Sequence, residues 1–184
     1  MAAEKSPKTQ KARKLDAAAL WENALRLLAA RAFSVAELRD RLRRRAADPA
    51  DVARIIERLR SYGYLDDQAY AENYAGARLE GRGHGKLRVL RELRRRRVAA
   101  GVARAAVEKV YAGTEETELI EEFLRRKYRN VELAEYLADP RRLAAAYRRL
   151  RYAGFSAAGA IRVLERYSAA AGELEAGEED DLPG

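Results

Sequence analysis

Apolar residues recur along the chain at three- and four-residue intervals, interrupted by short turn signals, which is the periodicity of amphipathic helices. Leu20, Trp21, Ala24, Leu25, Leu28 and Ala32 form one stripe that opens after Asp16. Ser34, with Glu37 three residues on, is a capping box opening a second helix with Val35, Leu38 and Leu42 inward. Asp48-Pro49 supplies an N-cap and a first helical residue for a third. That helix carries Val52, Ile55, Ile56 and Leu59 and stops at Tyr62-Gly63.

The same order then returns. Asp66-Asp67 caps a helix with Tyr70, Ala71, Tyr74 and Ala75 on one side. A glycine-rich break, Gly81 to Gly85, leads into Lys86–Arg97, where Leu87, Leu90 and Leu93 are the expected inward positions. Gly101 precedes a helix bearing Val102, Ala106, Val107 and Val110 that ends near Gly113. A third round starts at Glu115, with Leu119, Ile120, Phe123 and Leu124. Val131–Leu137 predicts an inserted turn or short helix, and Asp139-Pro140 caps a helix with Leu143, Tyr147 and Leu150 inward. Gly154-Phe155-Ser156 turns into a last helix with Ala160, Ile161, Val163 and Leu164. Shifts of 51 and then 57 residues align Leu42, Leu93 and Leu150, then Ala47, Val98 and Phe155, then Ile56, Val107 and Leu164.

Such a register marks internal repeats. Each triplet is too small to bury much by itself, so neighbours must stack to complete a core. The expected fold is all-α, an elongated curved array of three tandem three-helix repeats over residues 16–65, 66–113 and 114–170. A disordered basic arm, 1–15, and a disordered acidic tail, 171–184, are expected to flank it. Composition agrees: Val, Ile and Thr total only 16 of 184 residues, too few for a sizeable sheet.

Charge changes the picture more. The chain carries +8, but the first 14 residues hold +4 and the last 13 hold −6, so residues 15–171 carry +10. Polyanions or acidic surfaces become the leading partner class. Thirty Arg beside 38 Ala is also what a GC-rich genome writes, so the placement of the Arg residues says more than their number. The absence of Cys excludes disulfides, thiolate metal sites and cysteine nucleophiles, and fits a cytoplasmic protein. No apolar run reaches the roughly 18–20 residues of a membrane span.

Enzyme readings find little to build on. His84 is the one His and is expected as a solvated loop residue. Around it, Glu80 stands where a P-loop needs its first Gly and Leu87 where it needs a hydroxyl, so the match fails. The break is either a plain helix–helix connection or an anion cradle on free amides. Asp66-Asp67 reads as a helix cap rather than a metal or acid–base pair. No catalytic residue, metal or cofactor is expected.

Placement singles out the helix Lys86–Arg97. Opposite its leucines, Arg88, Arg91 and Arg95 fall at i, i+3 and i+7, and the run Arg94–Arg97 adds charge at the C-terminal end. Equivalent positions are Glu37, Asp40 and Arg44 in the first triplet, and Ala145, Arg148 and Tyr152 in the third. The candidate partner-binding set is therefore Arg44, Lys86, Arg88, Arg91, Arg94, Arg95, Arg148 and Arg149. Only five Asn and Gln occur in the chain, none in the basic helices, which argues against reading of base edges. Phosphate contact without sequence reading stays open, as does an acidic protein surface.

These residues resemble the RecX family of RecA regulators over about residues 20–167. The signatures are Arg31-Ala-Phe-Ser34-Val-Ala-Glu37-Leu38 in the first triplet, and Gly63-Tyr64-Leu65-Asp66-Asp67 with Tyr70-Ala71, Tyr74, Arg78, Gly83, Gly85 and Glu92-Leu93 in the second. The third contributes Leu150-Arg-Tyr-Ala-Gly154-Phe155-Ser156 with Ile161, Val163 and Leu164. Two positions depart from the family pattern: Lys86 stands where a Pro is usual, and Arg97-Val98 where a Gly-Ile turn is usual. The resemblance implies a non-enzymatic protein that binds the RecA-type recombinase filament on single-stranded DNA and restrains ATP hydrolysis and strand exchange; a monomer is expected. The contrasting expectation is a non-specific module that binds single- or double-stranded DNA without the recombinase.

Overall fold

The structure, a computed structural model, describes residues 14–177, leaving aside the side chains of Arg82 and of residues 175–177. The chain divides into two compact units between Asp67 and Gln68. Every regular element among the described residues is helical, so the fold is all-α, built on three-helix domains. Among the described residues, an isolated parallel bridge joins Leu15 to Ala46.

In the first unit, α1 (Ala17–Ala30), α2 (Val35–Arg45) and α3 (Pro49–Ser61) begin at the expected caps, Asp16, Ser34 and Asp48. The capping box is complete: Glu37 N donates to Ser34 Oγ at 3.1 Å, and Ser34 N to Glu37 Oε2 at 3.5 Å. Leu20, Ala24, Leu38, Leu42 and Leu59 are fully buried, and Phe33, just beyond α1, is buried against them. Leu15 is tied down on both sides, donating to the Arg45 carbonyl at 2.7 Å and accepting from Ala47 N at 2.8 Å. The expected basic arm therefore gives up Lys14 and Leu15 to the body, and the rest of it lies outside the described residues.

The second unit runs through α4 (Asp67–Arg82), α5 (Lys86–Arg95), α6 (Ala100–Val110), α7 (Glu116–Lys127), α8 (Leu133–Leu137), α9 (Pro140–Ala153) and α10 (Ala157–Leu164). Asp67, the last residue of the first unit, is the first of α4, and its Oδ1 accepts from Val35 N at 2.8 Å, so this carboxylate serves the start of α2. α6 starts at Ala100, which places Gly101 inside its first turn rather than before it. A terminal 3-10 helix, Ala169–Gly177, follows α10 and buries Ala171. The expected acidic tail thus loses its first seven residues to a packed helix, and residues 178–184 lie outside the described residues.

Two cores fill the second unit. One joins Tyr70, Ala71 and Ala75 of α4 to Val89 and Leu93 of α5 and to Ala103, Ala106 and Val107 of α6. The other gathers Ile120, Leu124, Leu137, Leu150, Phe155, Val163 and Leu164, and Leu119 packs against both.

Two of the three aligned positions, Val98 and Phe155, share one turn, whereas Ala47 N donates to the Leu15 carbonyl instead. After α9, Gly154 sits at φ 93°, with Gly154 N donating to the Arg151 carbonyl and Phe155 N to that of Leu150. After α5 the same two bonds run from Arg97 N to Arg94 O and from Val98 N to Leu93 O. Both are Schellman closures, which demand a left-handed residue just past the cap. Arg97 supplies it at φ 58°, the one non-glycine positive φ among the described residues. This is the departure from the family pattern, now with a conformational cost. Arg97→Gly is expected to raise stability by about 1 kcal/mol in urea unfolding.

Candidate functional site

α5 begins at Gly85, and that glycine decides which way the helix faces. Gly85 N donates to the Ala153 carbonyl at 2.9 Å, and Leu87 N to the Gly154 carbonyl at 3.1 Å. The amino end of α5 therefore sits on the carboxyl end of α9, opposite partial charges together. Glycine is required on both sides. A Cβ on Gly85 would lie 2.2 Å from Gly154 O, and one on Gly154 would lie 2.3 Å from Arg88 N. The Gly85 and Leu87 amides that an anion cradle would offer are spent in this contact. Gly83 N and His84 N are likewise bonded to the Leu79 and Arg78 carbonyls. The break is a docking joint within the unit.

His84 is buried here, 6% exposed, with its carbonyl accepting from Tyr111 Oη at 2.6 Å. Sequence reasoning placed it in solvent because the flanking glycines read as an exposed loop, and the α9 contact closes that loop over. Burial pushes the Tyr111 phenol up to about 12, with the nearby Glu92 charge adding to it.

Anchored in this way, α5 turns Val89 and Leu93 fully inward, leaves Leu90 half-buried and exposes Leu87. The expected inward stripe of Leu87, Leu90 and Leu93 is corrected to Val89 and Leu93. Arg88 moves with it, off the outward face. Its Nε donates to Glu92 Oε1 at 3.0 Å, and its guanidinium lies 5.0 Å from the centre of the Tyr152 ring. Glu92 also accepts, on Oε2, from Tyr74 Oη and from Arg78 Nε, each at 2.7 Å. Burial pushes the Glu92 carboxyl up, but the hydrogen bonds from Tyr74, Arg78 and Arg88 outweigh it and hold the group at about 2. Bonding to Glu92 in turn raises Arg78 against the opposing effect of burial. The Tyr74, Arg78 and Glu92 of the repeat signature are thus one polar clamp between α4 and α5.

The eight candidate cations separate accordingly. Lys86 pairs with Glu108 at 2.9 Å, and Arg88 belongs to the clamp. Arg91, Arg94, Arg95 and Arg148 are exposed. Arg149 is exposed too, with Nη1 donating to Tyr128 Oη at 3.0 Å. Arg44 is exposed on α2 of the first unit.

Two grooves of the second unit collect some of them. One, about 620 Å³, has Leu87, Leu90, Val98, Ala100 and Ala103 as its floor, and Arg91, Arg94, Arg104 and Arg151 around it. The other, about 350 Å³, sets Arg88, Arg126, Lys127 and Arg149 beside Phe123 and Tyr152. Arg104, Arg151, Arg126 and Lys127 were not among the candidates. They come from α6, α9 and α7, so no spacing within one helix links them to Arg91 or Arg94. Among the described residues no group of three or more His, Asp or Glu is placed to hold a metal, and no helix is long and apolar enough to cross a membrane.

Comparison with known proteins agrees with this architecture. Residues 21–59 match the first three-helix domain of RecX, and residues 66–107 match the second. A regulatory protein RecX of Syntrophotalea carbinolica is 32% identical over 139 residues, covering 75% of this chain and 89% of that protein. One from Mycobacterium sp. strain KMS is 35% identical over 142 residues, covering 76% and 78%. The crystal structure of RecX from Lactobacillus salivarius superposes with a TM-score of 0.64 at 16% identity, over 83% of this chain and 97% of that one.

Proposed function

The chain belongs to the RecX family of regulatory proteins, and on that premise we propose that it binds a RecA-type recombinase filament on single-stranded DNA and restrains its ATPase and strand-exchange activities. The observation that carries this reading is the match of residues 21–59 and 66–107 to the first two domains of a regulatory family, in a chain whose body carries +10. The protein acts by binding and not by catalysis, takes no cofactor, and works in the cytoplasm in recombinational DNA repair and the SOS response. Its exposed cations, Arg91, Arg94, Arg95 and Arg148 on the second unit and Arg44 on the first, meet acidic recombinase surface or bound DNA and bridge filament protomers. Each charge-assisted contact of this kind is worth about 1–3 kcal/mol when partly desolvated, so a few together compete with filament growth.

A titration of labelled protein against bare and recombinase-coated oligonucleotides tests the proposal. Coated DNA is expected to bind the more tightly, by at least about tenfold at physiological salt. Equal or tighter binding to bare single- or double-stranded DNA would favour a non-specific DNA-binding module acting without the recombinase.

A further inference from the structure

The groove floored by Leu87, Leu90, Val98, Ala100 and Ala103 is aliphatic, where the other basic groove carries Phe123 and Tyr152. Several cations elsewhere in the second unit are matched to carboxylates: Lys86 to Glu108, Lys109 to Glu72, and Arg78 and Arg88 to Glu92. Around this groove, Arg91, Arg94, Arg104 and Arg151 form no ion pair with any described carboxylate. Two of them are held by carbonyls instead. Arg151 Nη1 donates to Phe155 O at 2.8 Å, and Arg91 Nη2 reaches Tyr152 O at 3.4 Å. Their side chains are partly ordered before anything binds, which lowers the entropy lost on binding. Leu87 meanwhile leaves 45% of its surface to water on a helix whose Val89 and Leu93 leave none.

We infer that this groove is the docking site for an acidic amphipathic helix of the recombinase partner. The inference rests on the function proposed above and narrows it to a surface and a kind of ligand. An aliphatic floor ringed by guanidiniums matches a helix that presents leucine-like anchors at i and i+3 or i+4 with Asp or Glu beside them. Its volume lies within the ~300–1,000 Å³ of ligand-sized clefts, enough for a few anchoring side chains. Nucleic acid fits less well. Single strands are gripped by stacking on aromatic rings, and no aromatic residue lines this groove. A phosphate backbone would satisfy the arginines and leave the leucines in water.

Two variants test it. Ala100→Trp fills the groove from an exposed position without changing charge, and Arg94→Glu/Arg104→Glu reverses two of its four cations. Binding of each to recombinase-coated and to bare oligonucleotide is measured, with thermal melts to establish that the variants fold. Both are expected to lose at least about tenfold in affinity for the coated DNA. Ala100→Trp is expected to hold its affinity for bare DNA to within about twofold. Unchanged filament binding in both variants, or an equal loss on bare DNA with Ala100→Trp, overturns the proposal. Deletion of residues 178–184 serves as a further arm. If it tightens filament binding by the parent chain but not by Ala100→Trp, the groove holds the chain's own acidic end, and the proposal is again overturned. A parent chain with no preference for coated DNA overturns the functional reading as well, a result distinct from losses confined to the variants.

Discussion

Gly154→Ala is expected to destabilise the second unit by about 2–5 kcal/mol, and Gly85→Ala by about 1–3 kcal/mol. Two costs add at Gly154. Its φ of 93° is a conformation that a Cβ disfavours, and the methyl would sit 2.3 Å from Arg88 N and 2.4 Å from Arg88 Cβ. Neither obstacle is the free end of a flexible side chain, so the contact is relieved only by moving α5 away from α9. At Gly85 the new methyl would lie 2.2 Å from Gly154 O and 2.5 Å from Phe155 N, again backbone. Either shift strains the bonds from Gly85 N to Ala153 O and from Leu87 N to Gly154 O. Gly76→Ala is the matched control. It lies within α4 with nothing within 4 Å of an added Cβ, so it should raise stability by about 0.5–1 kcal/mol through helix propensity. Urea unfolding of the three variants checks the set, and losses of similar size at Gly76 and Gly154 would show that the α5–α9 joint is not what makes Gly154 necessary.

Glu92→Gln is the second large effect, expected to cost about 2–3 kcal/mol at neutral pH. The carboxylate is 19% exposed and receives Tyr74, Arg78 and Arg88 at once, so its removal leaves two half-buried guanidiniums without their counter-charge. A folded-state value of about 2, against the ordinary 4.5, means that the ionised form stabilises the fold. That contribution is fully present above about pH 4.5 and is lost as pH falls from there towards 2. Because the variant is neutral throughout, the gap between the two proteins should shrink to roughly half by pH 3. A gap that stays constant from pH 7 to pH 3 would mean that the clamp acts through shape alone.

The helices, their caps and the repeat register were legible in the chain because each rests on local chemistry. Ser34 with Glu37, Asp48-Pro49, Asp139-Pro140 and Ser156 each open a helix where expected. The third round's extra turn was equally plain, since Val131–Leu137 contains α8. The rotation of α5 was not legible. Leu87, Leu90 and Leu93 outweigh a single Val89 in any periodicity argument, and what turns the helix is a backbone contact some 70 residues away in sequence. The same contact buries His84 and uses the amides of the glycine break. Arg88 belonged on the outward face by spacing alone, and the Glu92 clamp draws it in. Arg104 and Arg151 stayed unseen because a groove formed by α5, α6 and α9 leaves no periodic signal in one dimension. Charge placement therefore found a helix whose Arg91, Arg94 and Arg95 are exposed, but not the inward turn of Arg88 or the groove beside it.

The most direct measurement of the central claim is the single-stranded-DNA-dependent ATPase rate of a RecA-type recombinase as this protein is titrated in. A progressive fall in rate that saturates is expected, with Arg94→Glu/Arg104→Glu needing at least about tenfold more protein for the same fall. A rate unchanged up to excess protein, under conditions where the protein does bind the DNA, would contradict it.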